Sequence, residues 1–432
     1  MGELVPLVEA RQRVLAGRSV LAPQPLPLGE ALGCVIAEDI VASEAVPPFD
    51  NSSMDGYALR ASDTSTPPAV LDVVGTVMAG SVLGQSIGPG QAARIMTGAP
   101  MPDGADAVCM IERAIGGPDD PKVTIEHSVT RGDFVRHIGG DIRAGELVFP
   151  AGTVLAPGCL GVLRSLGLRD VLVFPRPRVG VLSTGDELTE DAAVLGPGKI
   201  RESNRASLLA LVAQSGFLPI DLGIVGDDEE TVVKILLQAS TMCDAIVTSG
   251  GVSVGDKDVI KAVLSDISAG SMQWMQVAIR PAKPFAWGSI GPSATPLFGL
   301  PGNPVSAMVS FELFARPVLR TMAGFTDLDR PVVEAIADEA LSRLPDGKTH
   351  LVRARAHYGP DGRVHARSAG GQESNQLAAM ARANALVLLD DGNGVVAGAT
   401  IPTMLLDQLP VNGAPSWAGM LPEGPRAISH AI

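Results

Sequence analysis

Thr248-Ser-Gly-Gly-Val-Ser-Val-Gly-Asp-Lys-Asp258 is the stretch on which the reading of this chain turns. The apolar run Ala245-Ile-Val-Thr248 leads into it and predicts a buried strand of a parallel sheet. Val259-Ile-Lys-Ala-Val-Leu264 follows, with apolar residues at helical spacing. A strand, a glycine loop and a helix in that order put the loop at the carboxyl end of a strand, where such sheets bind ligands. Glycines let backbone N–H groups approach a phosphate, and a helix N-terminus adds partial positive charge. Asp256 and Asp258 would repel a bare anion, so the loop suits a divalent cation held beside a phosphate. A tight turn with Asp256 or Asp258 as helix N-cap accounts for the same residues.

Around this stretch the chain alternates strand and helix from Pro177 onward, the pattern of a doubly wound α/β domain. Val179–Ser183, Ile220–Val225, Met275–Ile279 and Pro296–Leu300 read as further strands. Ser203 or Asn204 and then Asp227 or Asp228 start helices, and Asn303 as N-cap with Pro304 starts a long helix to Met322, kinked at Pro317. The loops at 184–188, 248–258 and 300–306 should open on one edge of the sheet. Thr184-Gly-Asp-Glu187 adds carboxylates there, Pro301-Gly-Asn303 offers backbone N–H groups, and Arg280-Pro-Ala-Lys283 supplies cations. Each has a plainer reading: a helix cap for Asp186, surface charge for Arg280 and Lys283.

Upstream, residues 4–17 and 28–38 read as helices separated by Pro23, Pro25 and Pro27. From about Leu71 to Asp141 short apolar runs lie between Gly and Pro, an all-β pattern. Its loops carry Thr97, His137 and Asp141, and the polar loop 46–57 before it, an Asx-turn linker on its composition, carries Asp55; Thr97 is an oxyanion donor or a turn residue, and His137 reads as a surface histidine. Downstream of Arg330, strands about a hairpin turn at 358–362 predict a small β-barrel or sandwich. The expected fold is α/β plus β, in a multidomain chain. Its parts are a helical and linker subdomain (1–45 with 143–174), an inserted β-rich lobe (46–142), the α/β domain (175–328), a C-terminal β-barrel (329–411) and a disordered tail (412–432).

Composition narrows the function. The net charge of −14 over 432 residues argues against nucleic acid or an acidic membrane as partner. The content is 46% hydrophobic but 3% aromatic, so cores must be built from Ala, Val, Leu and Ile. Cys34, Cys109, Cys159 and Cys243 are scattered without metal-ligand spacing, as buried thiols of a reducing compartment would be. Charged residues in the first turns and the lack of a spanning apolar run predict a cytoplasmic protein.

Taken together, FDNSSMDGY (49–57), RIMTGAP (94–100), STGDEL (183–188), TSGGVSVGDKD (248–258), RPAKPF (280–285) and GLPGNPVSA (299–307) resemble the molybdopterin molybdenumtransferase family. That family assembles the molybdenum cofactor and is related to the E domain of gephyrin. The resemblance runs over residues 4–410 in the family's order. It implies a homodimer with sites shared between chains, and insertion of molybdenum from molybdate into adenylylated molybdopterin, with AMP released and Mg²⁺ assisting. It also implies functional roles for Asp55, Thr97, Asp141, Glu187, Asp227, Asp258, Arg353 and Ser374. Glu187 and Asp258 would hold the metal; Arg280, Lys283 and Arg353 would steady oxyanions. Thr184, Gly185, Ser249, Gly250, Gly251, Ser253, Pro301, Gly302 and Asn303 would complete the substrate contacts. Departures are Gly140 where the family often has Glu, Gln276 and Arg280 where some members have Lys, and Ala282 where Gly is usual. Two rivals are the pathway's adenylyltransferase, which shares the α/β domain type, and a non-catalytic scaffold, which would not need the carboxylates.

Overall fold

The computed structural model describes residues 4–190, 194–250 and 259–409. Contacts divide the chain into two compact units, Pro23–Val173 and a second formed by Met1–Ala22 with Phe174–Ile432.

In the second unit, β1 (Arg178–Thr184), β2 (Leu218–Val225), β3 (Ala245–Ser249), β4 (Gln273–Gln276), β6 (Pro284–Ile290) and β7 (Thr295–Leu300) form one sheet in the order β2-β1-β3-β7-β6-β4. The first four in that order are parallel, and β7–β6 and β6–β4 are antiparallel. Strand alternation sorts the side chains into two cores. Val179, Val181, Ala245 and Val247 pack with α1 (Asn204–Gln214), α4 (Pro304–Ser310) and α5 (Arg316–Met322). Leu182, Ile246 and Leu297 pack with α2 (Glu229–Met242) and α3 (Val259–Ile267). Helices on both faces make this the doubly wound domain.

Three local readings change. The run 275–279 breaks at Val277: Met275 ends in β4, whereas β5 (Ile279–Arg280) leaves the sheet. The helix from Pro304 to Met322 passes through a π-helical segment, Phe311–Ala315, just before Pro317. Proline has no N–H and crowds the carbonyl four residues back, and the wider turn absorbs both defects. Residues 28–38 form turns and the strand Val35–Ile36. Gly33 sits there at φ +78°, and Val35 and Ile36 are both buried, so packing overrides helical periodicity.

The same unit ends in a closed five-stranded barrel of β8 (Val332–Ala337), β9 (Thr349–Tyr358), β10 (Val364–Ser368), β11 (Ala385–Leu389) and β12 (Thr400–Leu405). The order is β9-β10-β8-β12-β11, and β11 returns to pair with β9. Four alanines among its buried residues, Ala335, Ala337, Ala354 and Ala366, suit so narrow an interior. β5 pairs in parallel with β9, placing Arg280 opposite His350. The N-terminal helix Leu7–Leu15 buries Ala10 and Val14 in the α/β core, so it packs with this unit and not with residues 143–174.

The other unit holds a six-stranded sheet, with strands 107–110, 56–59, 91–95, 69–77, 122–125 and 114–115 in that order. A separate cluster joins Cys34, Ile36 and Ile40 to Leu155, Leu163 and Val171 from the far side of that sheet in sequence. Cys34, Cys109 and Cys243 are buried free thiols and Cys159 is half-buried. Burial pushes the Cys109 thiol up to about 11. Among the described residues no helix is long and apolar enough to cross a membrane. The tail from 412 lies outside the described residues.

Candidate active site

The sheet register aligns the strand ends at one edge: Thr184 stands opposite Val225, Ser183 opposite Ser249, and Ser249 opposite Leu300. β1 comes first in the chain, β2 lies on one side of it and β3 on the other. The topological switch point therefore falls between Thr184 and Ser249, where doubly wound sheets place their ligands. The backbone approach is close. Gly250 has φ +98°, and a Cβ on it would lie 2.7 Å from the Thr184 carbonyl oxygen. Its N–H donates to the Leu300 carbonyl at 3.1 Å. Asn204, at the start of α1, donates through Nδ2 to Ser249 Oγ and to the Gly302 carbonyl, both at 2.7 Å. One side chain thus ties two strand-end loops together. Asn204 had only the role of a helix cap in the sequence, because its partners lie 45 and 98 residues away.

Carboxylates gather at the same edge. Glu187 is exposed and folds back over Gly185, where a Cβ would lie 2.5 Å from its Oε2. Asp186 Oδ1 accepts from the Asp227 N–H at 3.0 Å, bringing Asp227 to the edge. Asp228 caps α2 by accepting from Thr231 N–H. Gly251, Ser253, Asp256 and Asp258 lie outside the described residues. Mg²⁺ takes hard oxygen ligands, usually one or two carboxylates plus phosphates and water. An exposed carboxylate on a strand-end loop fits that donor set. Among the described residues no group of three or more His, Cys, Asp or Glu is poised on a metal by itself.

Beside this edge a cavity of about 260 Å³ is lined by Arg280, Lys283, Asn303, Ser306, Lys348 and Ser374, among others. Arg280 donates through Nη2 to both Glu373 oxygens, at 3.1 and 3.3 Å. Lys348 is paired with Asp346, while Lys283 makes no ion pair among the described residues. Ser374 is fixed by its carbonyl, which accepts from the Val305 N–H at the start of α4. Asn303 stands at the N-cap, but its side chain makes no capping bond; instead it lines the cavity. Pro301 is buried and Gly302 exposed in the turn before it.

Arg353 stands differently. It is 1% exposed, and its Nη2 donates to the carbonyls of Gly371 (2.9 Å) and Glu373 (3.1 Å). Gln372 bonds both backbone groups of Arg353 in return. The guanidinium therefore holds the loop that carries Glu373 and Ser374, and burial lowers its pKa. Ala282 has φ +73°, a left-handed conformation natural to glycine.

The remaining candidates belong to the other unit. Asp55 and Thr97 come together: Asp55 Oδ1 accepts from both the N–H and the hydroxyl of Thr97 at 2.7 Å. These bonds hold the exposed Asp55 carboxyl below the usual range, so it stays ionised. The Thr97 hydroxyl is a donor to a carboxylate here. Asp141 is exposed, with its N–H on the Val46 carbonyl. His137 is an exposed partner of Asp50, at 3.2 Å.

Comparison with known proteins gives the same picture along the whole chain. The family described as "MoeA N-terminal region (domain I and II)" matches residues 5–167. "Probable molybdopterin binding domain" matches 180–321, and "MoeA C-terminal region (domain IV)" matches 340–406. Molybdopterin molybdenumtransferase 2 of Mycobacterium tuberculosis is 39% identical over 402 residues, covering 91% of this chain and 97% of that protein. The molybdopterin molybdenumtransferase of Haemophilus influenzae is 37% identical over 378 residues, covering 87% and 92%. Among solved structures, a molybdopterin biosynthesis MoeA protein from Pyrococcus horikoshii superposes with TM-score 0.74 at 29% identity, over 93% of this chain and all of that one. With strand-end loops, barrel and lobe all matched in order, the chain belongs to the molybdopterin molybdenumtransferase family.

Proposed function

We propose that this chain inserts molybdenum into adenylylated molybdopterin, consuming molybdate and releasing AMP. The observation that supports it most is the pairing of two features at one edge. One is a switch point whose loops are drawn together by Gly250 and Asn204; the other is the adjoining cationic cavity around Lys283 and Arg280. The first suits a phosphate-bearing ligand approached by backbone N–H groups. The second suits a tetrahedral oxyanion, because Lys283 makes no ion pair among the described residues and Ser306 and Ser374 can donate hydrogen bonds. Binding both reactants side by side supplies proximity, a large part of any two-substrate rate. Mg²⁺ held by Glu187 and Asp258 would neutralise charge on the phosphoanhydride and assist departure of AMP. The adenylyltransferase reading needs only the α/β domain and leaves the regions matched at 5–167 and 340–406 without a role, and a scaffold would have no use for an ionised Asp55. Asp55, Thr97 and Asp141 belong in this proposal to a site completed by a second copy of the chain, in a homodimer. The direct test is incubation with adenylylated molybdopterin, molybdate and Mg²⁺. Release of AMP that depends on molybdate is the expected result, and AMP left unreleased with all three components present would overturn it.

A further inference from the structure

A second cavity, of about 510 Å³, adjoins the first, and Arg280 and Gln372 line both. One side is apolar: Leu341, Leu351 and Leu389 are at most 7% exposed, and Leu344 stands at the rim 83% exposed. Most of its polar groups are already engaged. Arg343 donates to the carbonyls of Lys348, Leu389 and Asp390 and to the carboxylates of Asp346 and Asp391. Asp346 is in turn held by Lys348 and His350, and Gln372 is spent on Arg353, Ser368 and Gly370.

Two charged groups keep capacity. Glu339 accepts from the Ser368 N–H through one oxygen at 2.8 Å, and its second oxygen accepts nothing among the described residues. Arg280 uses Nη2 on Glu373, and its Nε and Nη1 donate to nothing among the described residues. The cavity therefore offers a carboxylate acceptor, a guanidinium donor and leucine walls, in a volume suited to a small flat molecule. Carboxylates lining it would repel a phosphate or a free oxyanion.

We propose that this cavity takes the pterin ring of the substrate, with Glu339 reading its amino edge and Arg280 its carbonyl side. The assignment rests on the function proposed above. Carboxylates accept two parallel N–H bonds well. A pterin presents adjacent donors, the 2-amino group and N3–H, with its 4-oxo group beyond them. Adenine, the other ring of the substrate, sets one donor beside an acceptor and cannot satisfy a carboxylate in that way. Arg280, common to both cavities, would then hold the ring at the boundary of the oxyanion site.

The test uses 6-hydroxymethylpterin, a phosphate-free probe followed by its own fluorescence, with the full chain. Saturable binding is expected, without displacement by adenosine. Glu339→Gln should weaken it roughly ten- to a hundredfold, the loss of one charge-assisted bond. Leu344→Asp, at an exposed position that packing does not constrain, should weaken it as well. Molybdate binding by equilibrium dialysis should be unchanged in both variants. No pterin binding by the wild-type chain, equal binding by Glu339→Gln, or displacement by adenosine overturns the assignment. AMP release by the wild-type protein keeps that failure separate from a failure of the proposed function.

Discussion

The strand-end edge of the α/β domain and the Asp55 loop of the β-rich unit are both candidate sites, and they are built in opposite ways. At the edge, hydrogen bonds come from far along the chain. Asn204 clamps Ser249 and Gly302, and Arg353 clamps Gly371 and Glu373 from inside the protein. In the other unit a single exposed carboxylate is oriented by one threonine. The edge is preorganised by tertiary structure and should be costly to perturb. The Asp55–Thr97 pair is preorganised by a local contact, so changing it should affect chemistry and leave the fold alone. An exposed, oriented, ionised carboxylate has the form of half a site.

The sharpest break of this comparison is Arg353→Met. It removes a buried guanidinium from the two carbonyls it holds, and should lower stability by roughly 3 kcal/mol in urea unfolding, with no rescue by Arg353→Lys. A loss below about 0.5 kcal/mol would mean that the arginine is not holding the 371–374 loop. Asn204→Ala should cost about 1–2 kcal/mol for its two bonds and abolish AMP release. Activity kept at that cost would show that the clamp does not shape the site. Ala282→Gly relieves a left-handed alanine and should raise stability by about 1 kcal/mol. If stability falls instead, the backbone at 282 does not adopt that conformation in solution.

The smallest effect on stability should come from Thr97→Val. The folded-state pKa of Asp55 is depressed, chiefly by the Thr97 N–H and then by its hydroxyl. A depressed carboxyl contributes stability that is present above its unfolded pKa and lost as pH falls through the folded one. Removing the hydroxyl should move the Asp55 titration toward the ordinary carboxylate range, with the small loss of stability present near neutral pH and vanishing in acid below both pKa values. Carboxyl-carbon NMR titration reads the shift. An unmoved titration would assign the whole effect to the backbone N–H.

How much of this was legible in the sequence follows the same division. β1, β3 and β7 and their loops were readable because buried parallel strands are short apolar runs with glycine at their ends. The barrel strands β9 to β12 and a helix start at Asp227 or Asp228 were readable for similar local reasons, whereas β8 was not read. β6 went unread, since Pro281 and Pro284 beside it look like loop punctuation. The reading of 28–38 as a helix failed where Gly33 and burial of Val35 and Ile36 outweighed spacing. The clamping roles of Asn204 and Arg353 depend on partners 18 to 98 residues away, which no local pattern reports. Asp258 and most of its glycine loop lie outside the described residues.

The account's central claim, that the Asp55 pair and the strand-end edge are two halves of one site, has a direct measurement. Asp55→Ala and Asp258→Ala chains are co-expressed with different tags, and the mixed dimer is purified and assayed for AMP release from adenylylated molybdopterin. Each pure variant should be inactive. In a two-fold dimer with halves contributed in trans, one of the two sites is intact, so about half the wild-type activity should return. A mixed dimer with no activity, while wild-type paired with either variant remains active, would show that each site is built within one chain and would contradict the claim.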